Sequence, residues 1–247
     1  MFNFQTFNVD GKDYVAITRH NSDMVECALT LDTTFRGGIG VDAKPKGRFS
    51  GSNAYWQDKI QKIKTFTDYE KFIEELIETV DRANVTHISA AVNGKKEIKK
   101  RIINKCMDLK SLKDALSKNP FVNGKVRDVD PNHILYKLAE PLPATKGGMR
   151  SNVSFASKLC QFASKILNAG YEYSKYDSIV AKTLPIYIEH YLGVKVARTR
   201  FSLDGKTFNV KMQTYAEYCA YIDKIIAVAC PGMTREEFDH IVWYTNK

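Results

Sequence analysis

Between residues 151 and 187 the chain reads SNVSFASKLCQFASKILNAGYEYSKYDSIVAKTLPIY, and its apolar residues return every three or four positions. Phe155, Leu159, Phe162, Ala163 and Ile166 therefore share one side of a helix with 3.6 residues per turn. Asn152 or Ser154 is placed to cap its first turn. Asn168 and Gly170 both tolerate the left-handed backbone that closes a helix. Asp177 then offers a carboxylate to the free N–H groups of a second helix, whose apolar face is Ile179, Val180, Leu184 and Tyr187. Pro185 kinks that helix or ends it. Helix, short connection, helix is thus written locally, and everything else must pack against two apolar faces.

Two residues in this stretch carry chemistry. Lys158 lies beside the stripe of the first helix, and Asp177 stands 19 residues later at the start of the second. Each has an ordinary role open to it: a lysine with a buried stem and a wet ammonium, and a simple cap. Together they also suit the cleavage of a glycosidic bond. A carboxylate stabilises the positive charge that develops on the sugar, and an amine in its free-base form can displace the base.

The wording SFASK…KYDSIVAKTL resembles the catalytic segment of the helix-hairpin-helix DNA glycosylases, in particular the 8-oxoguanine glycosylase branch. The likeness covers about 35 residues and continues more weakly toward the C-terminus. It implies Lys158 as nucleophile and Asp177 as the essential carboxylate. The Gly-rich turn that precedes the lysine in that family is replaced here by KGGMRSNVS, with Gly147 and Gly148 further upstream, so the resemblance is to a divergent member. By the same resemblance Arg150, Asn152 and Ser154 are DNA-backbone candidates. The last helix would fold over the pocket, making Asp239 and Trp243, with Phe155, the base-pocket candidates. Trp243 has a core or interface role open to it as well. The family implies double-stranded DNA as partner and needs no small-molecule cofactor.

Charge agrees with such a partner without requiring it. The 37 Lys and Arg outnumber the 28 Asp and Glu, a net charge of +9, and basic balance favours a polyanion. The densest basic run is GKKEIKKRIINK, where Lys95, Lys96, Lys99 and Lys100 are further backbone-contact candidates on a helix whose inward face is Ile98, Ile102, Ile103 and Met107. A solvated helix face explains that run equally. A second basic stretch, residues 35–53, carries GGIG with Arg36, Lys44, Lys46 and Arg48, but no G-K-[ST] follows at Walker spacing, so it reads as a basic loop.

The five cysteines form no C-x-x-C pair and the five histidines no H-x-x-x-H, which argues for buried reduced thiols and against a zinc site or an iron–sulfur cluster. The N-terminus lacks a basic start followed by an apolar core, which points to the cytoplasm.

Taken in order, residues 1–34 read as β, with a VDG turn at residues 9–11 and a further strand at residues 27–31. Helices are expected over residues 55–65, 68–83, 94–119 (as one or two), 133–139 and 215–229, and a last one is capped by Thr234 with Glu237. Residues 87–92 are a strand or a buried connection, and residues 121–150 are largely irregular. The Asp204–Gly205 turn joins two short strands or sits between helices.

The expected fold is mainly α: a two-lobed, glycosylase-like helical domain over residues 54–247, preceded by a small β element and basic loop over residues 1–53. The expected activity is that of a bifunctional DNA glycosylase/AP lyase in base-excision repair. The alternative is a non-catalytic basic nucleic-acid-binding protein.

Overall fold

The computed structural model describes residues 3–31, 53–84, 88–122 and 127–246. It opens on a hairpin of two antiparallel strands, β1 (Thr6–Val9) and β2 (Lys12–Val15), in which Phe7 faces Tyr14. Asp10 and Gly11 both take positive φ, 52° and 78°, the pairing that a tight two-residue hairpin turn requires.

The chain then turns helical earlier than expected. Residues 27–31, expected as a strand, belong to α1 (Arg19–Leu31). Val25, Ala28 and Leu29 are its buried side, and the side chain of Asn21 anchors it to the hairpin through Gln5 and Ala16. The tertiary contact outranked a weak β propensity. Cys27 points outward on this helix, so not every thiol is buried: Cys106, Cys160 and Cys219 are, and all five cysteines are free. The basic stretch of residues 35–52 lies outside the described residues.

The next helices are α2 (Asn53–Lys64), α3 (Tyr69–Asn84), α4 (Gly94–Lys105), α5 (Leu109–Leu116) and α6 (Ile134–Ala139). Residues 88–92 form one 3-10 turn, Ile88–Ala90, followed by a bridge from Ala91 to Ala144. The basic stretch of residues 94–119 is two helices, because Asp108 and Ser111 exchange side-chain and backbone hydrogen bonds in a capping box that starts α5. Met107 was expected inside and is 85% exposed. Helix α4 ends at Lys105 and Cys106 is extended, so the helical period no longer applies and Cys106 takes the inward place. Two short hairpins break up residues 121–150: β3 (Phe121–Val122) with β4 (Asp128–Val129), and β5 (Leu142–Pro143) with β6 (Met149–Arg150).

Four long helices complete the chain: α7 (Val153–Leu167), α8 (Ser178–Leu192), α9 (Phe208–Ala229) and α10 (Arg235–Asn246). Pro185 sits inside α8, which continues for two further turns until Gly193 closes it at a φ of 65°. Asp204–Gly205 lies between helices, and α9 begins seven residues before the expected start at 215. The Thr234–Glu237 capping box of α10 forms as read.

Helix α7 is the axis of the packing. It was expected to bury one stripe, but from Val153 to Ser164 every side except that of Ser154 is buried. Ala156, Ser157, Cys160, Ala163 and Ser164 are small, so α2, α3, α5, α6 and α9 can approach it on several sides. Helix α8 packs on α9 and α10, and α10 in turn meets α1 and β2. The buried apolar residues of all these elements form one continuous cluster. Among the described residues no helix is long and apolar enough to cross a membrane.

Candidate active site

Lys158 lies in the second turn of α7, and burial of that helix on all sides carries the lysine inside with it: its side chain is 7% exposed. Its Nζ lies 3.4 Å from Oδ2 of Asp177, whose side chain is 20% exposed. The other oxygen of Asp177, Oδ1, accepts from the backbone N–H of Ile179 at 2.8 Å and so caps α8. One carboxylate thus joins the two helices, one oxygen on a helix N-terminus and the other facing the buried Lys158 Nζ. Removing one partner of a buried pair leaves the other charge uncompensated, which costs on the order of 3–5 kcal/mol.

The connection that delivers Asp177 is clamped residue by residue. Ser157 Oγ accepts from the Tyr176 N–H at 2.9 Å, and Ser154 Oγ donates to the Tyr176 carbonyl at 3.0 Å. Tyr215 and Tyr218 of α9 donate their hydroxyls to the carbonyls of Ser174 and Lys175, at 2.7 and 3.1 Å. Arg235 donates to both oxygens of Asp223 at 2.7 and 2.9 Å, and also to the Glu172 carbonyl. Four carbonyls and one N–H of this irregular segment are therefore held by side chains of α7, α9 and α10, which fixes it without secondary structure of its own.

On α10, Asp239 is buried, and Trp243 lies one turn further on, partly exposed and packed against the core. Residues four apart share a helix face. Lys175, two residues before Asp177, brings its Nζ to 3.2 Å from Asp239 Oδ2. Burial pulls Lys175 toward the neutral form, but the carboxylates of Asp239 and Glu236 outweigh it and raise it above the ordinary lysine value. Burial raises the Asp239 carboxyl despite the lysine beside it. Burial would also raise Glu236, yet Lys175, His240 and Lys165 hold it down at about 2.

The remaining candidates scatter. Phe155 is fully buried in the core. Asn152 stands at the N-cap position of α7, but its side chain caps nothing there; its Nδ2 reaches back to the Glu140 carbonyl at 3.3 Å. Ser154 is not the cap either, since it lies within the first turn of α7 and is spent on Tyr176. Arg150 is half-buried in β6, and nearby Lys211 of α9 donates to Ser151 Oγ at 3.0 Å. On α4, Lys95 pairs with Glu78 and Asp81, and Lys99 with Glu70 and Glu74, all carboxylates of α3, while Lys96 and Lys100 are exposed.

Sequence reasoning missed Lys175, Ser157 and Lys211. Lys175 and the residues around it lie in a connection with no periodicity to read. The signal for Ser157 was faint: a small polar residue one position before Lys158, inside a stretch already assigned to an apolar helix. No family model, curated protein or solved structure matches the chain.

Proposed function

We propose that the protein is a DNA base-excision enzyme, a bifunctional glycosylase/AP lyase of the helix-hairpin-helix kind, with Lys158 as nucleophile and Asp177 as the stabilising carboxylate. The observation that carries this reading is the buried Lys158–Asp177 pair, 3.4 Å apart, spanning two helices. In this mechanism the nucleotide is flipped out of the duplex. The free amine of Lys158 forms a bond to the sugar C1′ as the bond from C1′ to the base nitrogen breaks, and the amine's proton goes to the departing base. Opening of the sugar ring leaves a Schiff base. Loss of a C2′ proton then expels the 3′-phosphate and cuts the strand. Asp177 faces the positive charge on the sugar throughout, and its anchored Oδ1 keeps Oδ2 aimed at the reacting centre without reorganisation.

The two-lobed arrangement and the grouping of residues 54–247 as one catalytic unit belong to the same proposal. The net charge of +9 and the exposed Lys96 and Lys100 supply cations for a DNA backbone.

Borohydride trapping tests the reading. The protein is incubated with duplexes carrying 8-oxoguanine, uracil, a modified cytosine or an abasic site, then reduced and run on a denaturing gel. A covalent band is expected with at least the abasic duplex, and it disappears in Lys158→Gln. Trapping that survives Lys158→Gln overturns the assignment. The absence of any band, with a salt-dependent gel shift retained, favours a non-catalytic nucleic-acid-binding protein.

A further inference from the structure

One face of α9 turns away from the core, and a cavity of about 450 Å³ opens on it, within the range of about 300–1,000 Å³ usual for small-ligand sites. Gln213, Glu217, Tyr221 and Lys224, at steps of three and four residues, form its floor. Ala220 on the same side of the helix is too small to fill the space above it. Arg200 and Lys206 line the cavity from the connection between α8 and α9, and Arg127 lines it from the position before β4. Neither Lys158 nor Asp177 takes part in its lining, so it is a separate site.

The lining is strongly basic: Arg127, Arg200, Lys206 and Lys224 stand against one carboxylate, Glu217. Glu217 is spent on Arg200, whose Nε and Nη2 donate to its two oxygens at 3.0 and 2.8 Å. Arg127 lies 4.1 Å from the centre of the Phe121 ring, which fixes its plane. Its nearest carboxylate oxygen, on Asp223 at 3.6 Å, already accepts from Arg235. Lys206 Nζ donates to the Arg200 carbonyl and to Thr214 Oγ1, both at 3.0 Å. No carboxylate among the described residues lies within ion-pair reach of Lys206 or of Lys224, whose ammonium stands over the Tyr221 ring. Burial and the nearby Arg200 charge lower the Lys206 ammonium from its ordinary value, as expected where cations gather with too few carboxylates. Like charges gathered in a recess focus a positive potential on whatever enters it.

We propose that this cavity binds a small phosphorylated ligand, with two linked phosphate groups held by Arg127, Lys206 and Lys224. Four cations against one carboxylate leave an excess of three, and a monoester phosphate carries about −1.5 to −2 at pH 7, so two phosphates rather than one balance the site. An arginine fork meets phosphate oxygens two at a time, and lysine adds a point charge. The shape favours a free molecule over a nucleic-acid backbone. Arg127 is only 28% exposed and Lys206 is half-buried, whereas a duplex carries its phosphates on a convex rod and meets cations that protrude, such as Lys96 and Lys100. The inference does not depend on the base-excision reading.

Calorimetric titration of the full chain with inorganic pyrophosphate and with orthophosphate tests it. Pyrophosphate should saturate one site and bind at least about tenfold more tightly than orthophosphate. Lys206→Met and Lys224→Met should each weaken pyrophosphate about tenfold or more, as the loss of a charged hydrogen bond does, while Lys96→Met leaves it unchanged. Lys206 also braces its own connection, so if Lys206→Met does not fold, Lys224→Met, at an exposed position, carries the test. The absence of saturable pyrophosphate binding overturns the proposal. So does orthophosphate binding as tightly, a Lys224→Met protein that binds like the wild type, or an equal loss in Lys96→Met, which marks unspecific charge. A gel shift with an unphosphorylated DNA duplex separates the two sources of phosphate. Wild type and Lys224→Met should bind that duplex alike; a tenfold loss in the variant assigns these cations to a nucleic-acid backbone and overturns the small-ligand site.

Discussion

Single residues here take their roles from which face of a buried helix they occupy. Lys158 was readable as a candidate from its spacing to Asp177, but whether its ammonium reaches water depends on what covers α7. His133 shows the same dependence with a measurable consequence. It caps α6 by accepting the Leu135 N–H on Nδ1 at 3.1 Å, and its Nε2 lies 3.3 Å from the Tyr173 hydroxyl, which donates to the Leu116 carbonyl. Burial pushes it down to about 4 from 6.5. The folded histidine is neutral where the unfolded one takes a proton, so its contribution is complete above pH 6.5 and is lost as the pH falls from 6.5 toward 4. At pH 5 the loss comes to about 2 kcal/mol. A His133→Asn variant keeps a capping acceptor and does not titrate. Urea unfolding at pH 7 and pH 5 should show the wild type losing about 2 kcal/mol more than the variant; equal losses would remove His133 from the account.

At the scale of elements, the strong stripes were legible and the ends were not. Phe72, Ile73, Leu76, Ile77 and Val80 identify α3 from the sequence, and all five are buried. Residues 27–31, the C-terminal part of α1, were read as a strand because the anchor of that helix, Asn21, bonds to a residue 16 positions away beside the hairpin. The basic run of α4 was read as one surface. Tertiary packing divides it: Lys95 and Lys99 turn to the carboxylates of α3, and Arg101 turns to the end of α6. There the guanidinium donates to the carbonyls of Lys137, Glu140 and Pro141 at 3.1, 2.7 and 3.1 Å, serving orphan groups at the C-terminal end of the helix. Arg101→Met should therefore cost about 2–3 kcal/mol in denaturant unfolding, as expected for a charged donor leaving several carbonyls. A cost below about 0.5 kcal/mol, typical of a surface lysine or arginine, would place Arg101 back among the solvated residues.

For the whole molecule, the continuous apolar cluster has a thermodynamic consequence. Helix α7 packs against α2, α3, α5 and α6 and also touches α9, so the group of helices before it and the group after it share one core. Calorimetry should show one transition with equal van't Hoff and calorimetric enthalpies; two resolved transitions would mean that the groups unfold separately. The sequence by itself determined that the chain is mainly helical, where α3, α7, α8 and α10 run, that Asp177 starts α8, and that Lys158 and Asp177 belong to adjoining helices. Those features follow from periodicity and capping, which act over a few residues. Only the tertiary structure decided that Lys158 is buried, that Lys95 and Lys99 of α4 are paired with carboxylates of α3, and that Lys175 meets Asp239 across 64 positions of chain. Such pairings depend on which faces meet when the core closes, and no local pattern of residues encodes that meeting.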